Sequence, residues 1–246
     1  MESIYKYKLF FIYLILLFNP KIQCQNERVH VYLFPGQGSD QRIFEKIEFP
    51  EYCIVENIIY PIPGEHSSLK DFALQLSDLI DTSGYTILIG VSFGGMICTE
   101  INNHLPIEKV ILLSSAKCRN ELPFRYKFQK YIPVYKVIPK TIIKKGALVA
   151  QPIVEPDRKK EKETFVDMLK RKDPQYMKRT VGLIVNWEGE TVKKNIIHIH
   201  GSKDHTLPDK RIQHTILIEG GSHMMTLTRG EEINKIINFL IEHRHL

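Results

Sequence analysis

The most informative stretch of this chain is Thr86-Ile-Leu-Ile-Gly90-Val-Ser92-Phe-Gly94-Gly95-Met96. Its first half is a short apolar run, which predicts a strand that is covered on both faces. Its second half begins a helical pattern, so the chain must turn sharply from strand into helix at Ser92. Glycines two residues before and after Ser92 leave room for this turn and let the hydroxyl group point outward. Ser92 is therefore a candidate nucleophile.

A serine nucleophile needs a neighbouring base, and that base needs an acid that orients it. Two later apolar runs are each followed by a suitable side chain: Asp204 follows Ile196–His200, and His223 follows Thr215–Ile218. Open parallel sheets place their sites at the carboxyl ends of the strands. The sequence therefore predicts that Asp204 and His223 lie near Ser92.

The rest of the chain alternates short apolar runs with helical patterns, which predicts a parallel sheet flanked by helices. The predicted strands are His30–Phe34, Cys53–Ile59, Thr86–Val91, Lys109–Ser114, Ile196–His200 and Thr215–Ile218. The predicted helices are Leu69–Asp81, Phe93–His104 and Glu231–His243. We therefore expect an α/β fold with a mostly parallel sheet of about six strands.

The chain resembles the α/β-hydrolase-fold family in three motifs that occur in the order Ser, Asp, His. These motifs are the turn around Ser92, the loop Gly201-Ser-Lys-Asp204 and the loop Gly220-Gly-Ser-His223. The resemblance extends from about residue 29 to the C-terminus. It implies a catalytic triad of Ser92, Asp204 and His223. Because the first predicted strand directly follows the predicted signal, we expect the sheet to lack the N-terminal strands of larger relatives.

The resemblance also implies an oxyanion hole made by two backbone N–H groups. One belongs to Phe93, directly after the nucleophile and at the start of a helix. The other lies in Phe34-Pro-Gly-Gln-Gly38, where motif position favours Gln37 and leaves Gly38 as the alternative. Many relatives carry His before the first glycine of this loop, whereas this chain carries Pro35.

Other polar side chains near Asp204 leave alternatives open. His205 competes with His223 for the carboxylate of Asp204, and Asp209 is a weaker candidate for the acid. His198 and His200 share a strand, and with Asp204 and His205 they are similar to a metallo-hydrolase motif. The spacing is two residues too long for that motif, so we expect two histidines of a sheet and no metal or cofactor.

Residues 117–187 interrupt the alternation and predict a helical cap inserted over the site. They contain 18 Lys and Arg against 7 Asp and Glu, a net charge of +11, so the remainder of the chain carries −5 of the formal total of +6. This asymmetry suggests peripheral contact with an anionic membrane or a preference for anionic substrates. The aromatic residues that could line an acyl pocket are Phe124, Tyr126, Phe128, Tyr131, Tyr135 and Trp187.

Residues 1–24 match an export signal, because an apolar run at Leu9–Phe18 is too short for a membrane span of ~20 residues. The predicted domain is then 25–246, in the periplasm or secreted. Two alternatives are a lipoprotein anchored at Cys24 and a buried first strand. The remaining cysteines are Cys53, Cys98 and Cys118, which we expect to be buried free thiols.

Together these features predict a serine hydrolase that acts on a carboxylic ester or a related small acyl compound through an acyl-enzyme. An acyltransferase or a thioesterase would use the same triad. A binding or receptor module that retains the fold is the alternative from another class. Nucleic-acid binding is not expected despite a pI near 9.0, because no recognised motif is present.

Overall fold

The computed structural model describes residues 28–154 and 161–244, so the predicted signal peptide lies outside the described residues. The strands are β1 (Val29–Phe34), β2 (Cys53–Asn57), β3 (Tyr85–Val91), β4 (Lys109–Leu113), β5 (Ile196–Gly201) and β6 (Ile216–Ile218). They form one sheet in the order β2-β1-β3-β4-β5-β6, and every neighbouring pair is parallel. The predicted α/β fold and six-strand sheet are confirmed.

Helices connect the strands and cover the sheet. They are α1 (Leu69–Ser77), α2 (Phe93–His104), α3 (Phe124–Gln129), α4 (Val134–Val137), α5 (Lys140–Val154), α6 (Lys162–Arg171), α7 (Pro174–Asn186), α8 (Met225–Thr228) and α9 (Gly230–Glu242). Short 3-10 helices occur at Gln41–Phe44, Arg119–Glu121 and Asp209–Arg211.

The core has two halves, one on each face of the sheet, because side chains alternate between the faces along each strand. Leu88 and Leu112 point to the face that α1 and α2 cover. Ile87 and Ile111 point to the opposite face, which packs against α9. Since both faces are buried, the central strands consist almost entirely of apolar residues, which explains why they are visible in the sequence.

Helix α1 is shorter than predicted. It begins with a capping box, in which Ser68 and Asp71 satisfy each other's backbone N–H groups, and it ends at Ser77. The prediction continued to Asp81 because Leu79 has the spacing of the apolar face. In the structure Leu79 is 54% exposed, and its N–H donates to the carbonyl of Leu76, one residue nearer than in an α-helix. The apolar spacing in the sequence therefore continues beyond the last residue of the helix.

The segment between β4 and β5 consists of helices α3 to α7, and its described residues contain no strand. Helix α7 is the anchor of this group, because α3, α4 and α5 all contact it. At its end, the indole N–H of Trp187 donates to Glu100 Oε1 of α2 at 2.6 Å. In the described part of the chain, no helix is long and apolar enough to cross a membrane.

The strand order places a crevice beside β1. The chain moves from β1 outward to β2, and then crosses back to form β3 on the other side of β1. The loops that follow β1 and β3 therefore leave the same edge of the sheet in opposite directions. Such a reversal is where open α/β sheets hold their ligands.

Candidate active site

Ser92 sits at the turn between β3 and α2 in a conformation that side chains rarely adopt, with φ 52° and ψ −117°. Neighbouring contacts hold this conformation in place. The N–H of Ser92 donates to the carbonyl of Leu113 at 2.9 Å, and the hydroxyl of Ser115 donates to the carbonyl of Ser92 at 2.6 Å. Backbone strain that the surroundings hold in this way is frequent at reactive positions. The sequence did not reveal the contribution of Ser115.

The two glycines nearest to Ser92 are required by close backbone contacts. A Cβ on Gly94 would lie 2.1 Å from the carbonyl oxygen of Phe34, and one on Gly90 would lie 2.6 Å from the backbone of Gly94. Helix α2 can therefore approach β1 and β3 only because these side chains are absent. This contact brings Ser92 next to the loop that follows β1.

His223 lies between Ser92 and Asp204. Its Nδ1 is 2.7 Å from Asp204 Oδ2, and its Nε2 is 2.9 Å from Ser92 Oγ. A carboxylate oxygen only accepts, so Nδ1 carries the proton and Nε2 is left to accept the hydroxyl proton of Ser92. The structure thus brings the three predicted residues together in the tautomer that a general base requires.

Asp204 is held by its own loop and is only 2% exposed. Its Oδ1 accepts the N–H groups of Thr206 at 2.8 Å and Leu207 at 2.7 Å, which leaves Oδ2 directed at His223. His200 supports the same loop, because its Nε2 donates to the carbonyl of Leu207 at 2.8 Å and lies 3.4 Å from Asp204 Oδ2. Sequence reasoning missed this contact of His200.

The competing residues occupy other places. His205, the rival base, is exposed, whereas the ring of His223 is hydrogen-bonded to the carboxylate of Asp204. Asp209, the rival acid, is half-buried at the start of a 3-10 helix. His198 and His200 are both fully buried with their rings edge to face, and within the described residues no three ligand-type side chains converge as a metal site would require.

Hydrogen bonds hold the glycine turn after β1 in place. The N–H of Gly36 donates to Ser39 Oγ at 2.9 Å. The side-chain amide of Gln37 donates to Thr180 Oγ1 at 2.7 Å and to the carbonyl of Met177 at 3.1 Å, both on α7. Among the described residues, the backbone N–H groups of Gln37 and Phe93 have no acceptor. Both of the predicted oxyanion donors are therefore available.

A cavity of about 120 Å³ opens beside Ser92, His223 and Gln37. Its other walls are largely apolar and come from the sheet, from α2, from the loop that contains Asp204 and from the cap. The apolar side chains among them include Val91, Met96, Tyr126, Phe165, Ile184 and Leu207. Of the six aromatic residues considered as pocket lining, Tyr126 alone lines this cavity.

The other five aromatic residues that could have lined an acyl pocket lie away from this cavity. Trp187 is buried against the core and lines a separate polar cavity of about 740 Å³. Tyr135 is buried and accepts a hydrogen bond from Asn186. The remaining three are exposed: Phe124, Phe128 and Tyr131. The helices that carry them are short, and only packing decides which side of a short helix is covered.

Two of the three cysteines, Cys53 and Cys98, are poor candidates for a nucleophile. Cys98 is buried as expected, whereas Cys53 and Cys118 are half-buried, and all three are free thiols. Burial raises the pKa of the Cys98 thiol well above its ordinary value and the pKa of Cys53 to about 11. Since the thiolate is the reactive form, these two groups are unreactive near neutral pH.

The buried histidines make stability depend on pH. Burial lowers the pKa of His198 well below its ordinary value of 6.5 and also lowers the pKa of His200. Below that ordinary value the unfolded chain binds protons that the folded chain does not, so folding weakens as the pH falls. We expect urea denaturation between about pH 7 and pH 5 to show a loss of about 1 kcal/mol per pH unit from His198, with a further loss of stability from His200.

The matched variant for this prediction is His198→Leu. It places an apolar side chain at this buried position of β5 and removes one titrating group. The variant should lose less unfolding free energy than the parent chain over the same pH range. An unchanged slope in His198→Leu would show that other groups cause the pH dependence.

An open α/β sheet carries a serine at a strand-to-helix turn, with a carboxylate and a histidine in the loops after two later strands, and this arrangement is typical of one class of protein. The family comparison agrees with this class. The model of the alpha/beta hydrolase family matches residues 18–236, and the chain belongs to that family. No curated protein matches the sequence.

Solved structures with similar folds include three enzymes. An N-acyl homoserine lactone degrading enzyme is 16% identical, with 86% of this chain and 93% of that chain covered and a TM-score of 0.63. An esterase from Thermogutta terrifontis is 12% identical, with 90% and 92% covered and a TM-score of 0.63. A type II thioesterase of the Yersiniabactin pathway is 12% identical, with 89% and 94% covered and a TM-score of 0.59. At these identities the similarity concerns the fold.

Proposed function

We propose that the protein is a serine hydrolase that cleaves a carboxylic ester, or a related acyl compound, through an acyl-enzyme. The observation that carries this proposal is the continuous chain of hydrogen bonds from Asp204 through His223 to Ser92, at 2.7 and 2.9 Å. Ser92 lies at a cavity, and the backbone N–H groups of Gln37 and Phe93, which have no acceptor among the described residues, can donate to an oxyanion there. Membership of the alpha/beta hydrolase family supports the same conclusion.

The proposed reaction begins when Ser92 Oγ attacks the acyl carbonyl carbon and His223 Nε2 takes the hydroxyl proton. The oxyanion forms between the N–H groups of Phe93 and Gln37, and Asp204 stabilises the imidazolium. The same proton passes to the leaving alcohol as the acyl-enzyme forms. Water then attacks the acyl-enzyme with His223 again as the base, which releases the acid and restores Ser92.

The cavity favours a small, uncharged acyl group. Its volume of about 120 Å³ lies below the range of roughly 300–1,000 Å³ of ordinary small-molecule pockets. None of the described residues that line the cavity is Asp, Glu, Lys or Arg. We therefore expect acetyl and butyryl esters to be cleaved faster than long-chain esters, which need the cap to move.

The test of this function is a panel of acyl donors, with esters and thioesters of matched chain length, assayed with and without acceptor alcohols. A fluorophosphonate probe measures in parallel whether Ser92 reacts. Faster turnover of thioesters, or transfer to the acceptor, would favour the thioesterase or the acyltransferase. A folded chain that neither labels nor turns over any donor would instead be a binding module.

The side chain of Gln37 is expected to position its own N–H group for the oxyanion. Thr180→Val removes the hydroxyl that accepts from this side chain and keeps its shape, so the loop loses one attachment to α7. We expect kcat to fall about tenfold with little change in KM, because only the transition state uses the oxyanion donor. Steady-state kinetics on a short-chain ester give this measurement.

Two comparisons separate positioning from a structural effect. Thr180→Ser keeps the hydroxyl and should retain most of the activity. A boronic acid that forms a tetrahedral adduct on the serine should bind Thr180→Val more weakly, in proportion to the loss of kcat. Equal losses in Thr180→Ser and Thr180→Val would contradict this role of the hydroxyl.

A further inference from the structure

Several apolar side chains of the cap are exposed in the described part of the chain. Of the sixteen exposed large hydrophobic residues in the described chain, eight lie between residues 124 and 149. They include Phe124 at 66%, Tyr131 at 81% and Val137 at 82% exposed. We call the exposed residues of 124–149 the cap face. Exposed large apolar side chains that are concentrated in one segment in this way suggest an interaction site.

Within the described residues, helix α3 contacts the protein through Tyr126 and α7 and leaves its other large apolar side chains exposed. None of its residues is buried, and Phe124 and Phe128 instead contact each other, with ring centroids 5.6 Å apart. A helix of six residues is not stable by itself in water, so burial of an apolar side is its usual support. In α3 this support comes from Tyr126, which packs against the core, whereas Phe124 and Phe128 contribute little to it.

The cap face is also strongly cationic. Residues 122–154 contain seven Lys and Arg and no Asp or Glu. Among the ion pairs of the described residues, only Lys130 of these seven has a carboxylate partner, Glu188 at 2.6 Å. The six others are Arg125, Lys127, Lys136, Lys140, Lys144 and Lys145. Their charge is therefore available to an anionic surface.

We propose that the cap face binds the surface of an anionic lipid bilayer. Cations that alternate with apolar side chains match the boundary at which lipid headgroups meet acyl chains. Long Lys and Arg side chains reach the phosphates while their neighbours enter the apolar layer. The proposal does not depend on catalysis by Ser92.

A second copy of the chain fits this face less well. In a two-fold symmetric contact the same patch faces itself, so the cations of both copies would meet with no acidic residue between them. A nucleic acid would satisfy the charge and leave the apolar side chains in water. An anionic bilayer satisfies both the charge and the apolar side chains.

The position of the cap face links the bilayer to the cavity. Tyr126 of α3 lines the cavity beside Ser92, whereas Phe124 and Phe128 of the same helix are exposed. Docking through α3 would therefore place the bilayer close to the cap wall of the cavity. An acyl substrate that dissolves in the bilayer would reach the site over a short distance.

The test is co-sedimentation of the full chain with phosphatidylcholine vesicles, with and without phosphatidylglycerol, at low and high salt. We expect binding to the anionic vesicles that weakens as salt increases, and little binding to phosphatidylcholine alone. The double variant Lys136→Glu/Lys145→Glu should weaken this binding roughly 20-fold or more. The double variant Phe124→Ser/Val137→Ser should weaken it about tenfold or more.

Matched controls change the same residue types elsewhere. Ile59→Ser/Phe239→Ser and Lys210→Glu/Lys235→Glu alter exposed side chains outside the cap face and should bind like the parent chain. Equal binding by the parent and both cap-face variants would overturn the proposal, as would binding that ignores salt and lipid charge. A parent dimer that Phe124→Ser/Val137→Ser dissociates, without vesicle binding, would also overturn it and assign the face to self-association.

Discussion

Ser92→Ala is expected to lower kcat for a short-chain ester by about 10⁴- to 10⁶-fold while the chain remains folded. The variant has no nucleophile, so His223 and Asp204 retain their contact but have no hydroxyl to activate. Alanine keeps the Cβ of serine, so the strained backbone at φ 52° is equally disfavoured in both chains. Thermal unfolding should therefore change little, and the loss should be confined to turnover and to fluorophosphonate labelling.

The control for this variant is Ser77→Ala, at the half-buried last residue of α1. Its hydroxyl donates only within the helix, to the carbonyl of Leu74 at 2.6 Å, so both turnover and labelling should be retained. Full esterase activity in Ser92→Ala would refute the proposed role of the serine. Activity that is absent from the parent chain as well, in a folded protein, would point to the binding module.

Among glycine-to-alanine variants near the site, Gly94→Ala is expected to lose the most unfolding free energy. The new Cβ would lie 2.1 Å from the carbonyl oxygen of Phe34 and 2.6 Å from that of Pro35. Neither atom belongs to a flexible side chain, so α2 or the loop after β1 must move. We expect a loss of about 3 kcal/mol or more in the free energy of unfolding.

The same substitution at Gly146 is the matched control. Gly146 lies within α5, and a Cβ there would have no neighbour within 4 Å. Alanine should therefore stabilise the helix by about 0.5–1 kcal/mol, since glycine is a poor helix former. Urea denaturation measures both variants. Equal unfolding midpoints for Gly94→Ala and the parent would show that α2 does not depend on this contact.

Gly94→Ala should also reduce activity in the chain that remains folded. Phe34 and Pro35 directly precede Gly36 and Gln37, so their displacement moves the proposed oxyanion donor. This distinguishes Gly94→Ala from Gly146→Ala, which should keep full activity. The contact therefore couples the stability of the fold to the geometry of the site.

Much of the fold could be predicted because its determinants are local. The central strands are continuous apolar runs, since helices cover both faces of the sheet. The turn at Ser92 requires glycine at fixed offsets, and Asp204 and His223 each follow a strand. Parallel strands end at one edge, so residues that are distant in sequence could be placed together without knowledge of their contacts.

The contacts that refine the site could not be predicted in this way. His200 contacts the loop of Asp204 only because residues 204–207 fold back over the end of β5. The amide of Gln37 meets Thr180, which is 143 residues away and on a cap helix. No local pattern of residues encodes the pairing of two such distant groups.

The six strands, their alternation with helices, the residues of the proposed triad and the excess of positive charge in residues 117–187 could all be predicted from the sequence. Apolar periodicity, glycine spacing and charge are properties of short segments, and they can be identified before the chain folds. Packing in the folded chain sets which aromatic residues line the cavity and which ones form the exposed cap face. That choice depends on how α3, α4 and α5 pack against α7, because packing against a distant neighbour sets which side of a short helix is buried.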